Sequence, residues 1–179
     1  ALTGLPNRRY LDERLAKDGD WCRQNGGSLA LLHIDLDRFK QINDTLGHGV
    51  GDMMLIHAAN LLQTSLRNDD FLARYGGDEF VIVKRNETDM QRLTLMAEHL
   101  IGLMSQPVPY ENHFCRFGAS IGIAVENGAN VDTKRLLIDS DIALYRAKNG
   151  GRNRVEFFTK ELQLQIVNAK RIADDILRG

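Results

Sequence analysis

The sequence predicts an α/β (α+β) domain in which helices are layered on a mixed central sheet, and three observations support this. Near-continuous apolar runs of strand length occur at Ser28–Leu36 (SLALLHIDL) and Phe117–Val125 (FGASIGIAV), as in strands buried on both faces. Segments of helical period lie around them, at residues 50–66, 89–104 and 132–148, each with one apolar stripe. Between them, Phe71–Val83 reads FLARY-GGDE-FVIV. Two β-prone runs about a Gly-Gly-Asp-Glu centre form the pattern of a β-hairpin.

Taken in order, Asn7 to about Cys22 is a helix entered after Pro6, with Tyr10, Leu11 and Leu15 spaced for one buried face. Gly26-Gly27 ends it, and Ser28–Leu36 is the first strand. His33, inside that strand, is expected to be a satisfied core histidine rather than a ligand. A short helical turn carries Arg38–Leu46 until Gly47-His48-Gly49 interrupts it. Val50–Leu66 is then a helix with Leu55, Ala58, Ala59, Leu62 and Leu66 inward, and Met53 and Met54 as packing. After the hairpin, Asp89–Met104 turns Leu93, Met96, Ala97, Leu100 and Leu103 inward, and Pro107 and Pro109 end it. A small hairpin pairs Val108–Tyr110 with His113–Arg116. The helix Asp132–Lys148 offers Leu136, Leu137, Ile138, Ile142 and Leu144 to the core, and Val155–Phe158 is a last strand.

A chain of 179 residues suits one domain with a sizeable core. Its 43% hydrophobic and 26% charged residues are ordinary for a globular protein. A net charge of -1 argues against a polynucleotide partner or an anionic membrane surface. Cys22 and Cys115 are too few for a disulfide framework, are expected to be packing residues, and suit a reducing, cytoplasmic compartment. No apolar run reaches the roughly 20 residues of a membrane-spanning helix.

The hairpin centre carries the chemistry. Gly76 and Gly77 are expected to adopt backbone angles closed to other residues and to let a phosphate approach the main chain. Asp78 and Glu79 place two carboxylates where an ordinary turn needs none. A hard divalent cation beside nucleotide phosphates would explain them; a solvated acidic turn is the bland alternative.

Four blocks then coincide in order and spacing: LTGLPNRR at Leu2–Arg9, DLDRFKQINDTLGHGVGD at Asp35–Asp52, RYGGDEF at Arg74–Phe80 and ALYRAKNGGRNRV at Ala143–Val155. Together they resemble the GGDEF family of diguanylate cyclases. The resemblance implies a palm-like nucleotide cyclase fold related to the ferredoxin-like plan, with a mainly antiparallel sheet. It also implies an enzyme that condenses two GTP into cyclic di-GMP and two pyrophosphates, with Mg²⁺ (or Mn²⁺), in a homodimer with the two active sites opposed.

On the same resemblance, Asp35, the Leu36 carbonyl and Asp78 are the metal ligands, and Asp78 and Glu79 are catalytic, with Asp78 the proton acceptor. Asp37 is expected to lie to the other side of Asp35 and to cap the turn at Arg38–Lys40. Asn43 and Asp52, with His48 nearby, match the guanine-binding positions; a turn asparagine and a helix first-turn acid are their bland readings. Lys40, Lys148 and Arg152, the backbone near Phe39, and Gly76-Gly77 match the phosphate-binding positions. Arg67 and Asp70 match an inhibitory site for the product; a surface ion pair is the bland account.

The cyclase domain is placed at residues 1–158. The tail, 159–179, has Leu162, Ile166, Ala169, Ala173 and Ile176 on one seam. It reads equally as a helix packed on its own domain or as a connector to a further domain, such as an EAL phosphodiesterase. The chain begins at Ala1, without a methionine, and reads as a fragment of a longer protein whose other parts are free to be membrane-attached. The rival to a cyclase is a GTP-binding regulatory module, catalytically weak, that controls an adjacent domain; a product receptor is a third reading. The intact GGDE, Asp35, Asn43, Asp52 and Lys148 favour catalysis over both.

Overall fold

A computed structural model describes residues 2–159 of the chain. Helix α1, Arg8–Asn25, opens on Asn7, whose side chain accepts from the Tyr10 N–H, so Asn7 caps the helix rather than joining it. It closes on Gly26 at φ 71°, one turn later than expected. Strand β1, Ser28–Asp37, is buried at all ten positions, as its continuous apolar run predicts. Helix α2, Phe39–Leu46, and helix α3, His48–Thr64, are separated by Gly47 alone at φ 94°. His48 and Gly49 therefore begin α3 instead of interrupting the chain.

Strands β2 (Phe71–Gly76) and β3 (Glu79–Arg85) form the expected hairpin. Helix α4, Met90–Met104, is capped by Asp89. A separate two-stranded ribbon, β4 (Val108–Tyr110) and β5 (His113–Cys115), leads to β6, Gly118–Asn127. Helix α5, Thr133–Asn149, is capped by Asp132, and β7, Val155–Phe157, ends the described sheet. The expected tail helix lies outside the described residues apart from Thr159.

The sheet runs β2-β3-β1-β6-β7. Strand β1 lies at its centre, antiparallel to both β3 and β6, and among the described residues only the β6–β7 pair is parallel. The expected mixed, mainly antiparallel sheet is therefore present. Side chains alternate across it. Ala30, Leu32 and Ile34 join Met54, Leu62 and Leu93 in the core under α3 and α4. Leu29 and Leu31 join Leu11, Leu15, Val81 and Leu136 in the core under α1 and α5. His33, Asp35 and Asp37 follow Leu31 at steps of two, so β1 turns from apolar to polar along one face, beneath α5.

Gly122 fixes how closely α5 lies. A Cβ there would sit 2.2 Å from the Leu144 backbone N and 2.3 Å from the Ser140 O, so the α5 backbone rests directly on β6. This brings Asp141 and Lys148, two turns apart on α5, over the polar end of β1.

Two expected core residues are exposed. Tyr10 is 58% exposed, because the buried stripe of α1 runs through Leu11, Leu15, Asp18 and Cys22, about 100° away around the helix. Ile138 is 52% exposed, on the far side of α5 from Leu136; Asp139 and Ser140 hold the buried places.

Candidate active site

The site forms where β1 ends. Asp35 lies opposite Glu79 of β3 and opposite Ser120 of β6. The Leu36 N–H donates to the Asp78 carbonyl at 3.1 Å, tying the hairpin turn to the strand end. Asp35 is 7% exposed. Its Oδ2 is paired with the Lys148 ammonium, while Oδ1 is buried without a hydrogen-bond partner. Burial pushes its pKa up to about 6; Lys148 opposes this and the neighbouring Asp78 adds to it. Asp35, Leu36, Phe39, Lys40, Asp78, Lys148 and Arg152 thus line one cleft of about 310 Å³, with Arg38 and Gln41 completing it.

The turn is built by more than its two glycines. The ladder shifts register between Arg74 and Gly76, as at a β-bulge. Gly77 holds φ 25°, but Gly76 has no positive φ, so only Gly77 needs a glycine's freedom. A Cβ at either glycine would meet nothing within 4 Å, which leaves the open approach a phosphate needs. The Arg74 guanidinium donates to the Gly77 carbonyl from Nε at 3.0 Å and Nη2 at 2.8 Å. Arg74 was missed as a site residue because its role depends on the bulge.

Glu79 Oε1 lies 3.2 Å from His33 Nε2. The His33 ring beside it holds the Glu79 carboxyl below its usual range, helped by Lys148 and Arg8 and opposed by burial. His33 is buried as expected; its ring nitrogens make ion-pair contacts with Glu79 and, at 3.9 Å, Asp141, and no other hydrogen-bond partner among the described residues reaches either of them.

Asp37 departs from expectation. Strand β1 continues through it, and a spacing of two returns it to the face of Asp35. Its carboxylate caps no turn at Arg38; it accepts from Ser120 Oγ at 2.7 Å and from the Asn153 N–H at 2.8 Å, with Arg152 Nη1 3.7 Å away. Asp37 therefore anchors the loop after α5 that carries Arg152.

The three expected base-binding residues do not line the 310 Å³ cleft. They gather at the α2–α3 corner, with Asn43 one turn beyond Lys40. Gly51 is what brings Asn43 against α3, since a Cβ there would lie 1.7 Å from Asn43 Oδ1 and 3.3 Å from Phe39 Cζ. His48 and Asp52 are exposed on the first turns of α3. Gly51 went unread in the sequence because its value lies in a helix–helix approach.

Arg67 and Asp70 line a larger cleft of about 720 Å³ with Lys84, Arg92 and Met96. The surface ion pair of the bland account is absent between them. Asp70 Oδ2 accepts from the Arg67 backbone N–H at 3.0 Å and pairs with Lys84 Nζ at 2.9 Å. Among the described residues, the Arg67 guanidinium has no ion pair.

No helix among the described residues is long and apolar enough to cross a membrane. The family model "Diguanylate cyclase, GGDEF domain" matches residues 1–154. The bifunctional diguanylate cyclase/cyclic di-GMP phosphodiesterase MucR of Pseudomonas aeruginosa is 39% identical over 96% of this chain. The chain spans about a quarter of such a relative, 26% in the case of MucR. The GGDEF domain of TpbB (YfiN) from Pseudomonas aeruginosa is 32% identical and superimposes with a TM-score of 0.85 over 93% of this chain and 97% of that one. The GGDEF domain of DgcB from Caulobacter crescentus, solved in complex with c-di-GMP, is 29% identical, with a TM-score of 0.83 over 88% of this chain and 93% of that one.

Proposed function

The chain belongs to the GGDEF diguanylate cyclase family, and on that premise we propose that it joins two GTP molecules into cyclic di-GMP with release of two pyrophosphates. The observation that carries this reading is the single cleft in which Asp35, Asp78, Lys148 and Arg152 converge from three separate segments of the chain.

The donors suit a hard divalent cation. Asp35 Oδ1 is a buried carboxylate oxygen without a partner, Asp78 is close by, and Lys148 already places a positive charge on Oδ2. Asp35, Asp78 and the Leu36 carbonyl would hold Mg²⁺ or Mn²⁺. Such an ion, when bound, neutralises phosphate charge and lowers the pKa of the attacking hydroxyl.

The 3′-oxygen of each GTP attacks the α-phosphorus of the other, its proton passing to Asp78, as pyrophosphate leaves. Lys40, Lys148 and Arg152 hold the phosphates, with the open turn at Gly76-Gly77 and the backbone near Phe39. Asp37 keeps Arg152 in place through the loop after α5. Asn43 and Asp52, with His48 beside them, accept from guanine N1–H and N2–H₂ at the far end of α2. Glu79 lines the face beside Asp35 and acts in the same reaction. One GTP per domain requires two domains with their hairpins opposed, so a homodimer turns over and an isolated domain binds GTP with little product.

Cyclic di-GMP would also inhibit, at Arg67 and Asp70. In support, the Arg67 guanidinium faces a 720 Å³ cleft shared with Arg92, away from the catalytic one. Incubating the domain at high concentration with GTP and Mg²⁺, then separating the nucleotides, tests the reading. Cyclic di-GMP and pyrophosphate are expected; bound GTP that is never consumed would instead mark the regulatory module.

A further inference from the structure

We propose that His33, Glu79 and Asp141 form a second metal site, for a borderline-soft ion of the zinc class, beside the hard-cation cleft. The backbone places the three together. His33 follows Leu31 on the polar half of β1 and faces α5. Its cross-strand partner is Val81, so Glu79 lies diagonally across from it on the same face. Asp141 comes down from α5, which the bare Gly122 allows to sit close.

One ligand atom from each residue lies within 4.8 Å of the others. His33 Nε2 is 3.2 Å from Glu79 Oε1, and Nδ1 is 3.9 Å from Asp141 Oδ1. Ligands about 2.1 Å from a tetrahedral zinc ion stand roughly 3.4 Å apart, so the His33–Glu79 separation is already that of two ligands on one ion.

The histidine supplies an independent observation. It is 1% exposed, and its ring nitrogens have no hydrogen-bond partner beyond the ion-pair contacts with the two carboxylates of the triad itself. A buried imidazole normally has at least one nitrogen satisfied. The Tyr75 ring meets it edge-on at 5.0 Å, and Arg8 covers Tyr75 at 4.1 Å, which closes the inner side. The outer side is open, because the Asp141 side chain is 68% exposed and that of Glu79 is 31% exposed. An ion can enter there onto Nε2 beside Glu79, the exposed Asp141, which lies nearer Nδ1, can swing round to meet it, and water can fill a fourth position.

The donor set selects the metal. One imidazole with two carboxylates suits zinc, cobalt or nickel, whereas Mg²⁺ prefers an all-oxygen octahedron. A neutral imidazole and two carboxylates also give the site a formal charge of about −2, with Arg8 and Lys148 near Glu79 opposing the incoming cation.

The test uses tag-free chain in saturating Mg²⁺, which occupies the hard-cation cleft, titrated with zinc chloride against a chromogenic chelator. Crystals soaked in zinc and measured at the zinc edge locate the ion. One zinc per chain is expected, with the anomalous peak inside the triad, and affinity at least tenfold weaker in Asp141→Asn and in His33→Leu. Asp141 is exposed, so Asp141→Asn keeps its fold, and an unchanged unfolding midpoint verifies this. No zinc uptake, a peak elsewhere, or an unchanged affinity in either variant overturns the proposal. Turnover plays no part in the readout, so this site and the cyclase reading can fail independently.

Discussion

Lys148, near the end of α5, is ion-paired with Oδ2 of Asp35 at the end of β1, which leaves Asp35 Oδ1 buried and bare. A lysine ammonium reaching over a strand end from a helix that touches the sheet backbone at Gly122 holds a position a substrate phosphate can share. Lys148→Met should therefore weaken GTP binding by about 10- to 100-fold, the loss of one charge-assisted contact worth roughly 1.5–3 kcal/mol. Calorimetric titration with GTP in Mg²⁺ checks it. An unchanged dissociation constant would leave Lys148 as a partner of Asp35 alone.

Base choice should depend on the α2–α3 corner. Asp52→Ala should erode the preference for GTP over ATP, since it removes an acceptor that guanine N1–H and N2–H₂ would satisfy and adenine would not. Gly51→Ala should do the same without touching a base-binding group, because the new Cβ would lie 1.7 Å from Asn43 Oδ1 and must displace it. Competition binding of the two nucleotides measures both. Full discrimination in both variants would remove guanine recognition from this corner.

Most of the fold was legible because its signals are local. The all-buried β1, the Gly-Gly turn and the stripes of α3 and α4 lie in runs of neighbouring residues, and the element boundaries fall within a few residues of expectation. Asn7, Asp89 and Asp132 were read as first helical residues and are caps, a difference that only backbone geometry reveals. What the sequence hid depends on elements meeting. Gly51 matters only because α2 crosses α3, Arg74 because the hairpin carries a bulge, and Asp37 because β1 runs one residue further to pair with Gly118. His33 was legible as buried, while its pairing with two carboxylates follows from where α5 and Glu79 come to rest.

Product inhibition should pass through the Arg67 side chain. The turn at Arg67 is held by its backbone N–H to Asp70, so Arg67→Ala leaves the turn intact and removes only the guanidinium, which can grip a phosphate bidentately or stack on guanine. Synthesis rates against added cyclic di-GMP should show inhibition non-competitive with GTP in the wild type and largely lost in the variant. Superimposable inhibition curves would return Arg67 to the surface.

Cys22 should be chemically silent in the folded chain. It is fully buried among Leu11, Leu15 and Leu31, and burial, with Asp18, pushes its thiol up from 9.0 against the pull of Arg85 and Arg23. Thiol reagents at pH 8 should therefore leave it unmodified until the protein unfolds. The raised value also has a sign for stability. Above pH 9 the unfolded chain releases the proton while the folded chain keeps it, so stability falls as pH rises through that window. Urea unfolding of Cys22→Ala from pH 8 to 10 should show a shallower decline than the wild type. Parallel declines, or rapid native labelling, would contradict the burial.

The most direct measurement is the rate of cyclic di-GMP formation per domain as domain concentration rises, for the wild type and for Asp78→Ala, in saturating GTP and Mg²⁺. On the proposed reaction two opposed domains meet for each product, so the wild-type rate per domain should climb with concentration. Asp78→Ala should form no product while keeping its unfolding midpoint, because Asp78 sits at a turn and carries little packing. A wild type that binds GTP and makes no cyclic di-GMP at any concentration, or an Asp78→Ala domain that turns over like the wild type, would contradict the assignment.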